Sequence, residues 1–177
     1  SADISPANVT NLHLITGAGV TGTAGGIVVS GLAIEAAGTV NITDATTAVT
    51  TLAISDAGNS VTFTEADGFS VGTVDGIAGV SGSTVSLTAT TGNITVTNTA
   101  NANDIDATGA VTITNSAANG VFTINATADV ETRAGTHVGI GIERLDDGRD
   151  PRQGRLVDVA AAPVLGIAST LLFQVPD

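Results

Sequence analysis

The chain has 177 residues, a formal net charge of −12, 42% hydrophobic residues and a mean hydropathy of +0.38. It is too apolar for a solvated disordered tail, and its acidity excludes the concentrated cationic surface that a nucleic-acid partner requires. The absence of cysteine excludes a disulfide framework, and the absence of tryptophan and tyrosine predicts a thin aliphatic core.

Charge and proline divide the chain into two parts. Residues 1–132 contain 11 acidic residues and no lysine or arginine, whereas all five arginines lie at 133–155. Positions 7–150 contain no proline, as a continuous hydrogen-bonded β-ladder requires. We therefore predict a repeat region at 1–135 and a distinct C-terminal loop and strand segment at 136–177.

A short sequence motif recurs in the first part of the chain. In this motif two apolar residues alternate with Thr, Ser, Asn or Ala. Its copies lie at 40–43, 52–55, 61–64, 85–88, 94–97 and 111–114, with a slipped copy at 121–124. Among these copies, Val40, Val61, Val85 and Val111 follow one another at spacings of 21, 24 and 26 residues. That spacing is typical of one coil in a stacked β-architecture, so the sequence predicts an all-β parallel β-helix, or β-solenoid.

Turn-forming residues separate these phrases. Gly38, Gly58, Gly68, Gly92 and Gly109 lie in small or polar contexts that suit the corners of a coil. An antiparallel β-sandwich also has short alternating strands with a turn every few residues, and it is the alternative fold.

Two acidic turns are candidate metal positions. Glu65 and Asp67 lie in one turn, and Asp104 and Asp106 lie in another. Oxygen ligands at alternate positions are typical of Ca²⁺ loops, although neither turn has a complete loop pattern. The hypotheses are a structural Ca²⁺ ion, the one cofactor that the sequence suggests, or carboxylates that cap turns.

The residue composition changes in the C-terminal segment. Residues 143–155 are dense in charge and turn residues, and strand-like phrases follow at 156–159 and 171–175. Because the open end of a solenoid exposes unpaired backbone, we expect this segment to act as a cap or as an assembly contact. The contact would use Leu171, Leu172, Phe173 and Val175 for end-to-end association into a homopolymer. No run of about 18 apolar residues predicts a transmembrane segment.

The phrases at 69–80, 85–96 and 106–114 also carry a family resemblance. Their sequences resemble the repeat regions of filamentous-haemagglutinin-like large exoproteins of Gram-negative bacteria. The resemblance implies a right-handed parallel β-helix, export to the cell surface and a role in adhesion, aggregation or a surface layer. The arginine-containing tail does not match those repeats.

We therefore expect a secreted, extracellular structural or adhesive protein, a segment or subunit of a bacterial surface fibre, adhesin or matrix, without enzymatic activity. Its partners would be further copies and a cell-surface or glycan ligand. One alternative is a self-assembling filament or surface-layer subunit joined by strand addition. A less favoured alternative is a polysaccharide-active enzyme on a β-helix, because the sequence lacks the Trp, Tyr and Lys side chains that commonly furnish a sugar cleft.

Overall fold

The computed structural model describes residues 3–56, 58–97, 99, 104–117, 120–125, 128 and 130–132, together with the backbone of strands at 138–142, 157–159 and 171–173. The described residues form 19 strands and no helix. In chain order the strands are β1 (Asn11–Thr16), β2 (Val20–Gly22), β3 (Val28–Ala36), β4 (Val40–Ile42), β5 (Ala48–Asp56), β6 (Ser60–Glu65), β7 (Phe69–Val71), β8 (Thr73–Val74), β9 (Ile77–Ala78), β10 (Val80–Gly82), β11 (Thr84–Ala89), β12 (Ile94–Val96), β13 (Ile105–Ala107), β14 (Val111–Asn115), β15 (Phe122–Ile124), β16 (Val130–Thr132), β17 (Val138–Ile142), β18 (Val157–Val159) and β19 (Leu171–Phe173).

Two large sheets form the body of the molecule. One contains β18, β17, β14, β11, β6, β4 and β2 in that order, and its pairs are parallel except for β17 with β18. The other sheet divides at β5, whose N-terminal half pairs with β7 and whose C-terminal half pairs with β10. The chain is therefore a parallel β-solenoid of about five turns, which confirms the predicted fold over the antiparallel sandwich.

The division at β5 gives the solenoid three faces. Face 1 contains β2, β4, β6, β11, β14 and β17. Face 2 contains β7, β12 and β15 with the N-terminal halves of β3 and β5, and face 3 contains β1, β10, β13 and β16 with their C-terminal halves.

The spacing predicted for the coils matches the register in which the strands of face 1 pair. Val40 pairs with Val61, Val61 with Val85, and Val85 with Val111. Stacking also extends toward the N-terminus, because Val20 of β2 pairs with Val40. The copies of the motif recognised in the sequence did not include this first coil.

Inward-facing side chains form continuous apolar columns. Along face 3, Ile34, Ile54, Val80 and Ile105 pair in register and are each at most 2% exposed. In β6 and β11 buried residues alternate with half-buried or exposed ones, as in period-two strands with one inward face. One core cluster therefore runs through the stack from Ile27 to Ala128.

A small hairpin lies against the outer surface of face 3. Strands β8 and β9 pair antiparallel around Asp75 and Gly76, which have φ values of 53° and 87°. Two positive φ values are typical of the type I′ turn that an Asp-Gly pair favours. Val74 and Ile77 of the hairpin pack with the outward-facing Ala33 and Ala53, both of which are fully buried.

Parallel stacking gives way to antiparallel pairing at the C-terminal end. Strand β17, in the segment predicted to be distinct from the repeats, still pairs parallel with β14. Strand β18 then pairs antiparallel with β17, and β19 pairs antiparallel with β15. The strands of this segment thus lie over the last coil of their own chain.

Candidate functional site

One buried acidic group lies in the turn from face 1 to face 2. Glu65, the last residue of β6, is 1% exposed. One carboxylate oxygen, Oε1, accepts a hydrogen bond from the backbone N–H of Val49 at 3.3 Å, and Oε2 accepts one from the N–H of Gly68. Glu65 therefore closes its own turn and holds the preceding coil.

Burial changes the acidity of Glu65. Desolvation raises the pKa of the Glu65 carboxyl above its ordinary value of 4.5, and the hydrogen bonds from Gly68 and Val49 offset only part of this rise. The neighbouring carboxylate of Asp67 raises the pKa further. This is an environment in which a carboxyl group can hold a proton at a higher pH than an exposed one.

A shallow groove of about 380 Å³ borders the Glu65 turn. Its wall is formed mainly by apolar and hydroxyl side chains from the first three coils, and its acidic end by the turn itself. The lining includes Val9, Val28, Ser30, Thr50, Glu65 and Asp67. The groove is open to solvent and offers carboxylate acceptors beside aliphatic surface.

The second predicted pair of acids lies at a different corner. Asp104 precedes β13 at the turn from face 2 to face 3, is 1% exposed, and accepts the N–H of Thr99 at 2.5 Å. Asp106 is half-buried in β13, where it pairs in register with Ser81 and Glu131. The structure therefore does not bring the four predicted metal positions together.

The contacts of the buried acids bear on the predicted Ca²⁺ site, which stays a prediction. Each oxygen of Glu65 already accepts one backbone N–H group, and the side chain is almost fully buried. Within the described part of the chain, no group of three or more His, Asp or Glu side chains is arranged to hold a metal ion. The hydrogen bonds that Glu65 and Asp104 accept from backbone N–H groups are those of turn-capping carboxylates.

The structure also shows a cluster that sequence reasoning missed. His13 of β1 contacts Glu35 of β3 through Nε2 at 3.0 Å and Asp75 of the hairpin through Nδ1 at 3.2 Å. An Asp-Gly pair such as Asp75-Gly76 is a known hairpin signal, and it could have located the turn. No pattern in the sequence indicates that His13 lies beside it, because the three residues come from three different coils.

Outward residues on face 1 form columns of hydroxyl groups. Thr62 pairs in register with Ser86 and Ser86 with Thr112. Two residues farther along the strands, Thr64, Thr88 and Thr114 align in the same way. On β6, β11 and β14 these rows form a regular, uncharged surface of hydroxyl and methyl groups.

The predicted assembly contact falls at the C-terminal end. Leu171, Leu172 and Phe173 form β19, and Val175 lies outside the described residues. Because β19 pairs with β15 of the same chain, its observed contact is that of a cap. A role for these residues in association between copies stays a prediction.

Comparison with protein-family models, with curated proteins and with solved structures finds no match for this chain. In the part of the chain that the structure describes, no helix is long and apolar enough to cross a membrane.

Proposed function

We propose that this chain is an extracellular structural and adhesive protein, a segment or subunit of a bacterial surface fibre, adhesin or matrix. The observation that carries the proposal is the continuous apolar core from Ile27 to Ala128, which fills the solenoid coil after coil. A rod of this kind gains its stability from contacts between neighbouring coils. The packed interior supports the outer faces of the rod, and a ligand would bind to those faces.

Face 1 is the surface that best fits an adhesive role. Its outward rows on β6, β11 and β14 present Thr and Ser hydroxyls at a regular spacing of about 4.8 Å from strand to strand. Hydroxyl groups both donate and accept hydrogen bonds, so such a surface is suited to glycans, which are polymers of hydroxyl groups. We infer that a cell-surface or glycan ligand binds this face.

The backbone also suits an exposed location. Strands β4, β6, β11 and β14 each have a hydrogen-bonded neighbour on both edges. Extended segments that are paired on both sides open only with high free energy and are poor protease substrates. Resistance of this kind is what an extracellular fibre needs, and the resemblance to bacterial exoprotein repeats agrees with it.

Immunogold electron microscopy tests the proposed location and role. An antibody against the folded chain is applied to intact and to permeabilised cells of the source organism, with cells lacking the gene as the control. We expect gold on the surface of intact cells, along fibres or matrix. Label that occurs only after permeabilisation would overturn the proposal.

The proposed ligand surface has a separate test. Beads coated with the chain are applied to an array of bacterial and host glycans, and the same assay is run with Thr88→Lys and with Thr50→Lys. Thr88 lies in the hydroxyl columns of face 1, whereas Thr50 is exposed on face 2. Loss of binding in the first variant alone supports face 1, and equal binding by both variants contradicts it.

A further inference from the structure

The hairpin of β8 and β9 crosses the outer surface of several coils. The chain leaves the coil of β7–β11 at Gly72, whose N–H donates to the carbonyl of Leu52 in the preceding coil. It returns at Gly79, whose N–H donates to the carbonyl of Gly72. At the tip, Asp75 contacts His13 of β1, three coils back along the stack. Residues 73–78 therefore form a strap that connects the coil of β7–β11 with the coil of β1 and β2.

The surface beneath the strap is built from small residues. Ala33 and Ala53 face outward in β3 and β5 yet are fully buried, because Val74 and Ile77 of the strap pack against them. A Cβ atom at Gly31 would lie 2.9 Å from Cγ1 of Val74, closer than side chains approach one another. The outer surface of face 3 is thus shaped to receive the strap.

Few contacts hold the strap in this position. Each of its two strands has two residues, and an isolated two-stranded hairpin is at best marginally stable in water. Val74 is buried and Ile77 is half-buried, whereas Asp75 and Gly76 at the tip are exposed. A segment with so few buried contacts opens at low free-energy cost, so a polar contact at its tip can shift the balance between closed and open forms.

His13 meets a carboxylate at each of its two ring nitrogens. Nδ1 lies 3.2 Å from Oδ2 of Asp75, and Nε2 lies 3.0 Å from Oε1 of Glu35. An ionised carboxylate only accepts hydrogen bonds, and an imidazole ring donates from both nitrogens only when it carries two protons. The positively charged imidazolium therefore satisfies both contacts at once, whereas the neutral ring satisfies one.

The elements packed against His13 contribute one titratable group each. Glu35 is the only such residue of β3, and Asp75 is the only one of the strap. Strand β5, which lies under the strap, contributes Asp56, a buried carboxylate that accepts the N–H of Asn59 in the turn to face 1. Loss of a proton from His13 thus leaves two carboxylates beside a neutral ring.

The two carboxylates differ in how freely they can move away. A neutral ring turns the lone pair of one nitrogen toward an anion, whichever nitrogen keeps its proton, and this contact is unfavourable. Glu35 belongs to β3, which pairs with β1 on one edge and with β5 on the other. Asp75 lies at the exposed tip of the strap, where its side chain is 56% exposed. The strap is therefore the part that moves when the ring becomes neutral.

We propose that the strap is a pH-responsive element, closed over face 3 while His13 is an imidazolium and released when the ring loses one proton. The stabilisation from the tip contact is present at low pH and is lost as pH rises. Histidine changes charge near neutral pH, so such an element responds to the acidity of its surroundings. Release uncovers Ala33 and Ala53 on face 3. This inference concerns the fold itself and does not depend on an adhesive role.

Amide hydrogen exchange in β8 and β9 of the full chain, measured from about pH 5 to about pH 9, tests the proposal. Each rate is divided by the rate of an unstructured peptide at the same pH, which gives the opening constant of the strap. The NMR signals of the two ring nitrogens of His13 report its protonation in the same samples. We expect the opening constant to rise about two- to fivefold as the ring loses a proton, as for a partly exposed ion pair.

Two substitutions distinguish a pH-responsive contact from a merely structural one. His13→Gln has an amide that does not change charge in this range, so its opening constant should not vary with pH. Glu35→Gln supplies an N–H that unprotonated Nε2 can accept, so the ring keeps its Nδ1–H on Asp75 and the rise should largely disappear. His137→Gln makes the same change at the other histidine of the sequence and should show the rise of the unaltered chain.

Three results would overturn the proposal. The first is an opening constant of the unaltered chain that stays the same over the whole pH series. The second is a rise that persists in His13→Gln, and the third is an equal rise in Glu35→Gln and in the unaltered chain. Circular dichroism checks folding, and if His13→Gln fails to fold, the comparison of Glu35→Gln with His137→Gln decides the outcome.

Discussion

The carboxylate of Glu65 accepts a hydrogen bond from the backbone N–H of Val49, 3.3 Å away in the preceding coil, so a buried acid joins two turns of the solenoid. The same side chain accepts the N–H of Gly68 in its own turn. Removing Glu65 would therefore leave two backbone donors without their partner.

The first prediction concerns the pH dependence of this contact. Because the pKa of Glu65 is raised in the folded chain, the folded state binds the proton more strongly than the unfolded chain does between the ordinary value of 4.5 and the native value. The contribution of Glu65 to the free energy of unfolding is thus fully present below 4.5 and is lost as pH rises through the native pKa. Glu65→Gln should lack this loss.

Urea unfolding at a series of acidic to neutral pH values measures the effect. Gln keeps one acceptor oxygen and loses the other, which costs about 1 kcal/mol at low pH. As pH rises, the difference in unfolding free energy should shift in favour of the Gln variant. Asp67→Asn removes the neighbouring charge that raises the pKa of Glu65, so it should reduce the pH dependence without abolishing it. A constant difference between Glu65→Gln and the unaltered chain at all pH values would refute the assignment.

The second prediction concerns the corner between β11 and β12, which stacks on the Glu65 turn. Gly92 has a φ of +82°, and a side chain at this position would collide with the backbone oxygen of Asp67 in the coil below. Gly92→Ala should therefore be more destabilising than Gly58→Ala, which shares a positive φ of 89° but has open space around it. We expect about 1–2 kcal/mol for Gly58→Ala and clearly more for Gly92→Ala in chemical denaturation. Equal losses would mean that the corners do not stack as described.

Much of the fold could be predicted from the sequence because the interior repeats itself. Val40, Val61, Val85 and Val111 pair in register, as their spacing predicted. The first coil was harder to recognise, since β2 is short and ends at Gly22 where later coils have Ile42 or a larger side chain. Because a glycine takes the place of an apolar side chain here, the alternation of apolar residues that defines the recurring motif is interrupted.

The candidate sites were less accessible to sequence reasoning. The acid pair at 65 and 67 and the acid pair at 104 and 106 are similar in composition and spacing. The two turns nevertheless lie at different corners of the coil. The contact of His13 with Asp75 depends on where a hairpin folds over face 3, which no periodicity encodes. Alignment between coils can be predicted from repetition, whereas contacts made by an inserted hairpin cannot.

The third prediction concerns this hairpin. The pairs of His13 with Glu35 and Asp75 are partly solvent-exposed, so each contributes only about 0.2–1 kcal/mol. Asp75→Asn should hardly change the midpoint of global unfolding but should speed amide hydrogen exchange within β8 and β9. Glu35→Gln, which leaves the hairpin contact intact, is the control. Unchanged exchange in Asp75→Asn would show that the apolar contacts of Val74 and Ile77 hold the hairpin alone.

The fourth prediction concerns the core. Leu87 is fully buried in β11, between Phe63 and Ile113 in the same column. Leu87→Ala should reduce the free energy of unfolding by about 2–5 kcal/mol, because it leaves a cavity in the stack. Thr88→Ala on the outward face of the same strand should cost about 1 kcal/mol or less. Similar losses in both variants would contradict the assignment of inward and outward faces.

The in-register stacking of parallel coils is the central claim, and a pair of engineered cysteines tests it most directly. The chain has no native cysteine, and Thr62 and Ser86 pair across adjacent coils of face 1, at the separation of about 4.8 Å that neighbouring strands have. Mild oxidation of Thr62→Cys/Ser86→Cys should give an intramolecular disulfide in the native chain. Thr62→Cys/Thr88→Cys, offset by two residues on the same face, should stay reduced. A disulfide in the offset pair, with none in the aligned pair, would contradict the register and with it the solenoid on which the proposed function rests.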